Sequence, residues 1–222
     1  MVRTLVEQVH RELRDRVLAG RWRLGERLFE EVIAAELAVS RAPVREAIRM
    51  LEQEGLIERL PHRGLFVANP SPEAIVQTAA ARALLEVSAV RWGRPHGEAE
   101  VADLLACADA MDAAAAQGDV LAAVNQDIRF HGIVVGVCPN AVLLKHYHEL
   151  DGHMALFLHA LSDGRPERVA AMGERHRRIA RALPRRDALE REIVEHYRTA
   201  SRALAERTDR ASEAVDWPDT WR

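Results

Sequence analysis

Residues 39–67 read VSRAPVREAIRMLEQEGLIERLPHRGLFV and decide the fold of the first part of the chain. Ser40 is a good N-cap, Pro43 falls in the first turn, where no intrahelical N–H is needed, and Gly55 stops the helix. Between these signals one helical face is apolar, with Val44, Ala47, Ile48 and Leu51. The stretch therefore predicts a helix over residues 41–54.

Elements on both sides of this helix complete a small domain. The apolar runs at 56–60 and 65–68 flank the turn formers of residues 61–64, which is typical of a hairpin. Upstream, residues 4–19 carry an apolar residue at every fourth position, and residues 29–37 carry a shorter helical pattern. Three helices followed by a hairpin predict a winged helix-turn-helix.

Three arginines lie on the polar face of the third predicted helix. Arg41, Arg45 and Arg49 are four residues apart and share one side of the helix, opposite the apolar face. Arg63 and Gly64 fall at the hairpin tip. A solvated charged face would show the same spacing. On the third helix of this kind of domain, however, the row favours contact with phosphates and guanine edges in a DNA major groove.

The rest of the chain predicts a second, helical domain. We expect a winged helix-turn-helix over 1–68, a linker of loop formers over 69–72, a helical domain over 73–207 and a flexible tail over 208–222. The helical domain divides into six segments at breaks near residues 94–97, 118, 138–139, 163–164 and 184. The predicted fold class is mainly α, with the winged domain followed by an all-α six-helix bundle.

Composition excludes several classes of protein. The 222 residues are 48% apolar and 29% charged, with few glycines and prolines, which argues against collagen, coiled coils and general disorder. No run of 18 apolar residues exists, and the charged N-terminus lacks the apolar centre of a signal peptide. Cys107 and Cys138 fit neither a disulfide framework nor a thiolate metal site. We expect a cytoplasmic globular protein, and its net charge of −3 argues against a wholly basic nucleic-acid binder.

Asp127 and His131 suggest a metal site in the helical domain. They lie four residues apart in NQDIRFHG, a spacing that points two side chains the same way from a helix and lets them ligate one ion. A surface hydrogen-bonded pair has the same spacing. His176 and His196 lie among apolar residues of amphipathic segments and would face inward, where each needs a partner. For each of them, a core histidine bonded to a carbonyl or carboxylate is the alternative.

The string at 39–67 resembles the GntR family of bacterial transcription regulators in residue identity and spacing. Members read operators as homodimers, so the resemblance implies double-stranded operator DNA and a second copy of the chain as partners. The DNA-contacting positions that it implies are Ser40, Arg41, Arg45 and Gly64, with Arg49 and Arg63 as phosphate contacts. Glu31 stands where the family usually places an arginine on the second helix, so one contact to DNA is absent or replaced.

Residues 73–207 resemble the FCD-type ligand-binding domain of the FadR-like branch of the same family. The strings that carry this resemblance are ARALLEVSAVRWG at 81–93, DIRFH at 127–131, CPNAVLLKHYHEL at 138–150, ERHRRIARAL at 174–183 and IVEHYRTA at 193–200. Six helical segments rather than seven resemble the VanR-like subgroup of that branch.

In that domain one aspartate and three histidines hold a divalent metal, and the matching positions here are Asp127, His131, His176 and His196. Three neutral imidazoles and a carboxylate suit zinc or nickel, and open coordination positions would accept water or an organic carboxylate. Arg82 and Glu86 lie one turn apart, as in the family, so we expect Arg82 to pair with the carboxylate of an effector. An intrahelical ion pair between Arg82 and Glu86 is the alternative.

Together these patterns predict a metabolite-responsive transcription regulator and not an enzyme. A small carboxylic acid at the metal would shift the spacing of the two third helices in a homodimer and so change operator affinity. Two alternatives stay open. The metal site could be purely structural in a constitutive DNA-binding protein, or it could activate water in a metal-dependent hydrolase, although no placed general base accompanies it.

Overall fold

The computed structural model describes residues 4–162 and 171–205 and divides into two compact units between Asn69 and Pro70. The first unit contains α1 (Leu5–Leu18), β1 (Arg27–Leu28), α2 (Glu30–Glu36), α3 (Arg41–Gln53), β2 (Ile57–Leu60) and β3 (Gly64–Val67). The second contains α4 (Pro72–Trp92), α5 (Glu98–Gln117), α6 (Val120–Val135), α7 (Ala141–Glu149), α8 (Asp151–Ser162), α9 (Met172–Ala182) and α10 (Arg186–Ala205). The predicted break at 163–164 and the predicted tail over 208–222 lie outside the described residues.

The core of the first unit forms where α1 packs against α3. Thr4 starts α1 with a capping box: its Oγ1 accepts from the Glu7 N–H at 3.2 Å, and Glu7 Oε2 accepts from the Thr4 N–H at 2.8 Å. The buried face of α3 is the predicted one, with Val44, Ala47, Ile48 and Leu51. Each large aliphatic side chain on it contributes about 1.5–3 kcal/mol relative to exposure, so this face fixes which side of α3 is turned to solvent.

A three-stranded antiparallel sheet has the strand order β1-β3-β2. β2 and β3 form the predicted hairpin, with Leu60 opposite Gly64. β1 is not predicted by the sequence, because two residues show no periodicity, and only the pairing of Arg27 with Phe66 on β3 makes them a strand. Gly64 has a φ of +104°, and a Cβ there would lie 3.3 Å from the Arg27 guanidinium. The positive φ therefore favours glycine at this position, whereas the Arg27 side chain could shift to admit a Cβ.

The second unit is a bundle of packed helices. α5 packs against α6 and α9, α10 packs against α4 and α9, and α6 also contacts α4 and α8. The fourth predicted segment is two helices, α7 and α8, separated by Leu150, so the described residues show seven helices in this unit rather than six. The mainly α fold, with a winged domain followed by a helical domain, is as predicted. Within 4–162 and 171–205, no helix combines the length and apolarity that a membrane crossing requires.

Contacts with α5 fix the position of α9. A Cβ at Gly173 would overlap the carboxylate of Asp112, so glycine at this position permits the close approach of the two helices. Four residues later, Arg177 donates hydrogen bonds to Asp109 and Asp112, both at 2.7 Å. These contacts also place His176, which lies between the two positions and faces the bundle interior.

Candidate DNA-contacting face and metal centre

The arginines predicted to contact DNA form an exposed row on α3. The side chains of Arg41, Arg45 and Arg49 are 59%, 51% and 60% exposed. The opposite face of α3 is buried in the core of the first unit, so packing holds the row toward solvent. Such a row can donate charge-assisted hydrogen bonds to phosphates or to guanine edges.

Two acids at the start of α2 lie beside this row. The Glu30 carboxylate is 3.5 Å from Arg45 Nε, 3.9 Å from Arg41 Nη2 and 3.6 Å from Arg59 Nη2. Glu31, at the position of the departure from the family pattern, is 3.7 Å from Arg41 Nη2. Ion pairs this long at the surface contribute about 0–1 kcal/mol each. A phosphate or base can therefore replace the acids as a partner for the arginines at small cost.

The other predicted contact residues flank the row. Ser40 is the N-cap residue of α3, as predicted, but within the described part of the chain its hydroxyl makes no capping hydrogen bond. Arg63 lies at the hairpin tip, with its guanidinium 5.9 Å from the centre of the Phe66 ring. Gly64 is the first residue of β3. All six predicted positions thus belong to α3, its N-cap and the hairpin.

Asp127, His131, His176 and His196 converge inside the helical unit. Each offers one ligand atom, and these atoms lie within 4.8 Å of one another. Asp127 and His131 come from α6, His176 from α9 and His196 from α10. Asp127 Oδ1 is 3.0 Å from His176 Nε2, and the Nε2 atoms of His131 and His196 are 3.3 Å apart. The four residues singled out in the sequence therefore form one cluster.

Hydrogen bonds at Nδ1 of His131 and His176 determine that Nε2 is the nitrogen of each ring that faces the cluster. His131 Nδ1 lies 2.8 Å from Glu86 Oε1, and His176 Nδ1 lies 2.7 Å from the Met172 carbonyl oxygen. Both partners are acceptors, so each Nδ1 carries a proton and donates it. The Nε2 atoms then present lone pairs inward, and His176 Nε2 has no hydrogen-bond partner among the described residues.

This arrangement fits a divalent metal ion. A lone pair on His176 Nε2 and the Asp127 carboxylate face each other as two acceptors, so a proton or a cation must lie between them. Three imidazoles and one carboxylate are the donor set of zinc, nickel and similar first-row ions. The hydrogen bond from His131 to Glu86 is the outer contact by which carboxylates orient metal-binding histidines.

Glu86 is the centre of a buried hydrogen-bond network behind His131. Its Oε1 accepts from His131 Nδ1, and its Oε2 accepts from the hydroxyls of Tyr147 at 2.9 Å and Tyr197 at 2.8 Å. The network joins α4, α6, α7 and α10. Three donors for one fully buried carboxylate satisfy its hydrogen-bonding capacity, which makes the position of the His131 ring rigid.

Arg82 belongs to the same network. It is 1% exposed and pairs with Asp151 rather than with Glu86: Arg82 Nη1 donates to Asp151 Oδ1 at 2.6 Å. Its Nε donates to the Tyr197 hydroxyl at 3.1 Å, and its guanidinium lies 4.2 Å from the centre of the Tyr147 ring. In the described residues its Nη2 is buried and has no hydrogen-bond partner. Within the described part of the chain, Arg82 Nη2 is thus a free donor, whereas Nε and Nη1 of the same guanidinium donate to Tyr197 and Asp151.

The pKa shifts in the cluster favour an ionised Asp127 and a neutral His196, whereas His131 is shifted toward its protonated form. Burial alone would raise the pKa of Asp127, but the adjacent His176 and the two other imidazoles hold it below its usual value. Burial lowers the pKa of His196 well below its usual value, and the neighbouring His176 and His131 lower it further. For His131, burial would lower the pKa, but the Glu86 carboxylate raises it overall. A metal must therefore compete with a proton at His131 and not at His196.

A small cavity of about 20 Å³ opens beside the cluster, which is room for about one water molecule. The lining residues are Asp127, Met154, Phe157, Leu158, Met172, Arg175, His176, His196, Tyr197 and Ala200. Among the lining residues that the structure describes, Arg175 is the one that carries a guanidinium. Burial lowers the pKa of its guanidinium, although the Asp127 carboxylate opposes this shift.

Comparison with known proteins identifies both units. A family model described as bacterial regulatory proteins, gntR family, matches residues 5–67, and a model of the FCD domain matches residues 77–199. The chain belongs to the GntR family of bacterial transcription regulators. In this GntR-family chain the winged unit is the part that matches the GntR model, and the helical unit is the part that matches the FCD model.

Relatives in the comparison are named as regulators. The chain is 32% identical to a protein of Paenarthrobacter nicotinovorans named "Probable D-xylose utilization operon transcriptional repressor", over 88% of this chain and 84% of that protein. It is 31% identical to the gluconate operon transcriptional repressor of Bacillus subtilis, over 66% of this chain and 60% of that protein. These are regulators, as is the family, so the prediction that the chain is not an enzyme is confirmed and the hydrolase alternative is excluded.

Solved structures agree on the fold. A GntR-type transcriptional regulator from Rhodococcus sp. RHA1 has a TM-score of 0.78 and 26% identity, and the match covers 91% of this chain and 98% of that one. The E. coli protein McbR/YncC has a TM-score of 0.77 at 20% identity, with 92% and 99% covered, and shows the shared fold alone.

Several residues around the cluster were not predicted from the sequence. Glu86 was considered only as a partner of Arg82, and Tyr147, Tyr197, Asp151 and Arg175 were not singled out. Tyr197 follows His196 directly, but a tyrosine beside a histidine carries no spacing rule that would reveal a shared carboxylate. Two other histidines lie outside the four: His146 pairs with Glu149 at the surface, and the exposed His148 pairs with Asp151, the carboxylate that also accepts from Arg82.

Proposed function

We propose that this GntR-family protein is a DNA-binding repressor whose affinity for operator DNA changes when a small organic acid binds at a divalent metal in its FCD domain. The observation that carries the proposal is the convergence of Asp127, His131, His176 and His196, one ligand atom each within 4.8 Å, in a chain that also has an exposed arginine row on α3. Relatives named as repressors support repression as the mode of regulation.

For the DNA half, α3 enters a major groove and the hairpin tip follows the adjacent backbone. Arg41 and Arg45 then read base edges with Ser40 and Gly64, while Arg49 and Arg63 contact phosphates. Two copies bind as a homodimer, which places two α3 helices in half-sites about 34–36 Å apart. The operator is therefore expected to be palindromic.

For the metal half, Asp127, His131, His176 and His196 hold zinc or nickel. Bound there, the ion supplies Lewis acidity that attracts a carboxylate oxygen. Four protein ligands leave positions for such an oxygen if the ion is five- or six-coordinate. Arg82 remains a predicted partner of the effector carboxylate, supported by the unpartnered, buried Nη2 in the described part of the domain.

A ligand changes operator affinity only to the extent that it binds one arrangement of the dimer better than the other. If an acid releases the repressor from its operator, the acid must bind more tightly to the dimer arrangement in which the spacing of the two α3 helices does not match the operator half-sites. Coupling of this kind is typically about 5- to 150-fold in affinity.

The test uses the full-length protein and operator DNA selected by it from a random-sequence pool. Operator affinity is measured by fluorescence anisotropy for zinc-loaded and metal-stripped protein, each with acetate, butyrate, benzoate and gluconate. We expect at least one acid to weaken binding about fivefold or more, and only with metal present. Constant affinity under all conditions would support the constitutive alternative, and failure to select any operator would contradict DNA recognition.

A further inference from the structure

Arg175 differs from every other arginine of α9. Arg177 pairs with Asp109 and Asp112, Arg178 lies 3.1 Å from Glu192, and Arg181 lies 2.8 Å from Glu174. The Arg175 guanidinium has no hydrogen bond or ion pair with any residue in the described ranges, although the side chain is half-buried and lines the cavity beside the metal cluster.

An unpartnered guanidinium in this place is costly without a ligand. Taking a charged group from water requires compensation by hydrogen bonds or opposite charge. Asp127 is the carboxylate that lines the same cavity, and a metal ion would use its charge. With a divalent ion on the four ligands, Arg175 would lie beside a second positive charge. A small anion between them would compensate both.

The remaining lining residues restrict what kind of anion fits. Met154, Phe157, Leu158, Met172 and Ala200 are apolar and offer no side-chain hydrogen-bond partner. The hydroxyls of a sugar acid would lose water there without replacement, whereas an apolar body would gain contacts. Because the cavity holds about one water molecule, a ligand must displace side chains, and methionine is the residue that adapts most easily.

We propose that Arg175 binds the carboxylate of the effector and that the effector is a small monocarboxylic acid with an apolar body. The guanidinium donates two hydrogen bonds to the carboxylate, and the apolar walls select against polyhydroxylated acids. This inference rests on the proposed function, and it names the residue and the ligand class of the same site. It distinguishes this chain from relatives named for xylose and gluconate operons.

The experiment measures ligand binding by isothermal titration calorimetry to zinc-loaded, full-length protein. The probes are butyrate and benzoate, with gluconate as the polyhydroxylated acid and butyramide as the uncharged analogue. The wild type is expected to bind butyrate or benzoate about tenfold or more tightly than gluconate or butyramide. Arg175→Met is expected to weaken carboxylate binding about 10- to 100-fold, the usual value of a lost charge-assisted hydrogen bond.

Arg181→Met is the matched control, because it makes the same change on the same helix at a side chain that is 65% exposed. It should bind ligand as the wild type does. Zinc content, measured by elemental analysis, should be unchanged in both variants, which separates loss of ligand binding from loss of metal. If Arg175→Met does not fold, Arg175→Lys provides the second variant. It retains the charge but not the two-pronged donor, and a loss of about fivefold or more is expected.

Three results would overturn the inference: wild-type affinity in the Arg175 variants, tighter binding of gluconate than of butyrate and benzoate, or no binding of any carboxylate by the wild type. Failure of the proposed function looks different. If the acids bind through Arg175 but leave operator affinity unchanged, the inference stands and the regulatory proposal fails. If an acid changes operator affinity equally in wild type and Arg175→Met, the regulatory proposal stands and the inference fails.

Discussion

Arg41 and Arg45 of the winged unit and Arg82 of the helical unit have opposite environments. On α3 of the winged unit, Arg41 and Arg45 are more than half exposed and lie 3.5–3.9 Å from Glu30. In the helical unit, Arg82 is 1% exposed and donates to Asp151 at 2.6 Å. The exposed pairs are long and easily exchanged, whereas the buried one is short and part of a network. Arg41 and Arg45 can thus exchange their partners readily, whereas most of the Arg82 guanidinium is committed to internal contacts.

The difference follows from the cost of separating charges. Breaking an exposed ion pair costs about 0–1 kcal/mol, because water solvates both partners. Removing one partner of a buried pair costs about 3–5 kcal/mol, because the other is left uncompensated. Substitutions in the buried network of the helical unit should therefore have larger effects than substitutions on the arginine row, and they should act on metal binding and stability instead of on DNA.

His176→Ala should break the helical site most severely. It removes one of the four proposed metal ligands and the contact between His176 and Asp127 that joins α9 to α6, so zinc affinity should fall about 100-fold or more. The zinc-dependent rise in Tm should shrink accordingly. Elemental analysis and thermal unfolding with and without zinc check this. His146→Ala, at an exposed histidine paired with Glu149, is the control and should behave as the wild type. Full zinc occupancy in His176→Ala would contradict the metal assignment.

Arg45→Ala should break the DNA-contacting face and leave the helical site untouched. Loss of one base-reading arginine should cost about 1–3 kcal/mol of operator affinity and relax the preference at one base position. Zinc content and Tm should not change, because Arg45 lies outside the core. Anisotropy with operator and non-operator DNA measures the effect. Arg181→Ala, an exposed arginine of the helical unit, is the control. Unchanged operator affinity in Arg45→Ala would remove Arg45 from the recognition surface.

Glu86→Gln tests the buried network more finely, because it removes the negative charge of the Glu86 side chain but keeps its size and shape. The amide keeps an oxygen for His131 but loses the negative charge that stabilises the ring, so zinc affinity should fall about tenfold, the lower end of the effect of such outer contacts. Zinc affinity should also depend less on pH. In the wild type Glu86 raises the pKa of His131, so affinity rises as increasing pH removes that proton. Glu73→Gln, on the exposed face of the same helix, is the control.

Much of the fold could be predicted because local patterns and tertiary packing agree. The buried face of α3 follows from its own spacing, with Val44, Ala47, Ile48 and Leu51. β1 could not be predicted, because Arg27 and Leu28 form a strand only through pairing with β3. The division between α7 and α8 at Leu150 was also missed, since no proline or glycine stands at that position.

The candidate site shows the same limit. Asp127 and His131 are four residues apart on one helix, a spacing that a sequence displays, and their convergence with His176 and His196 came from resemblance. The contacts of Glu86 with Tyr147 and Tyr197 join residues far apart in the chain that follow no motif. Arg175 could not be distinguished from the other arginines of α9, because its lack of a partner among the described residues is a property of the packed structure alone.

Glu30→Gln should give the smallest effect and tests whether the acids beside the arginine row compete with DNA. Removing the carboxylate leaves Arg45 without this ion pair and removes one of the two acids beside Arg41, and it also removes one negative charge that would repel phosphates. These pairs are long and their arginines are about half exposed, so each pair should contribute only about 0–1 kcal/mol, although the Glu30 side chain itself is 16% exposed. Operator affinity should therefore rise by about two- to fivefold. A double-mutant cycle with Arg45→Ala isolates the interaction: the gain from Glu30→Gln should be smaller when Arg45 is absent. An equal gain in both backgrounds would show that Glu30 acts on DNA only through its own charge, and a loss of affinity would show that Glu30 positions the arginines for binding.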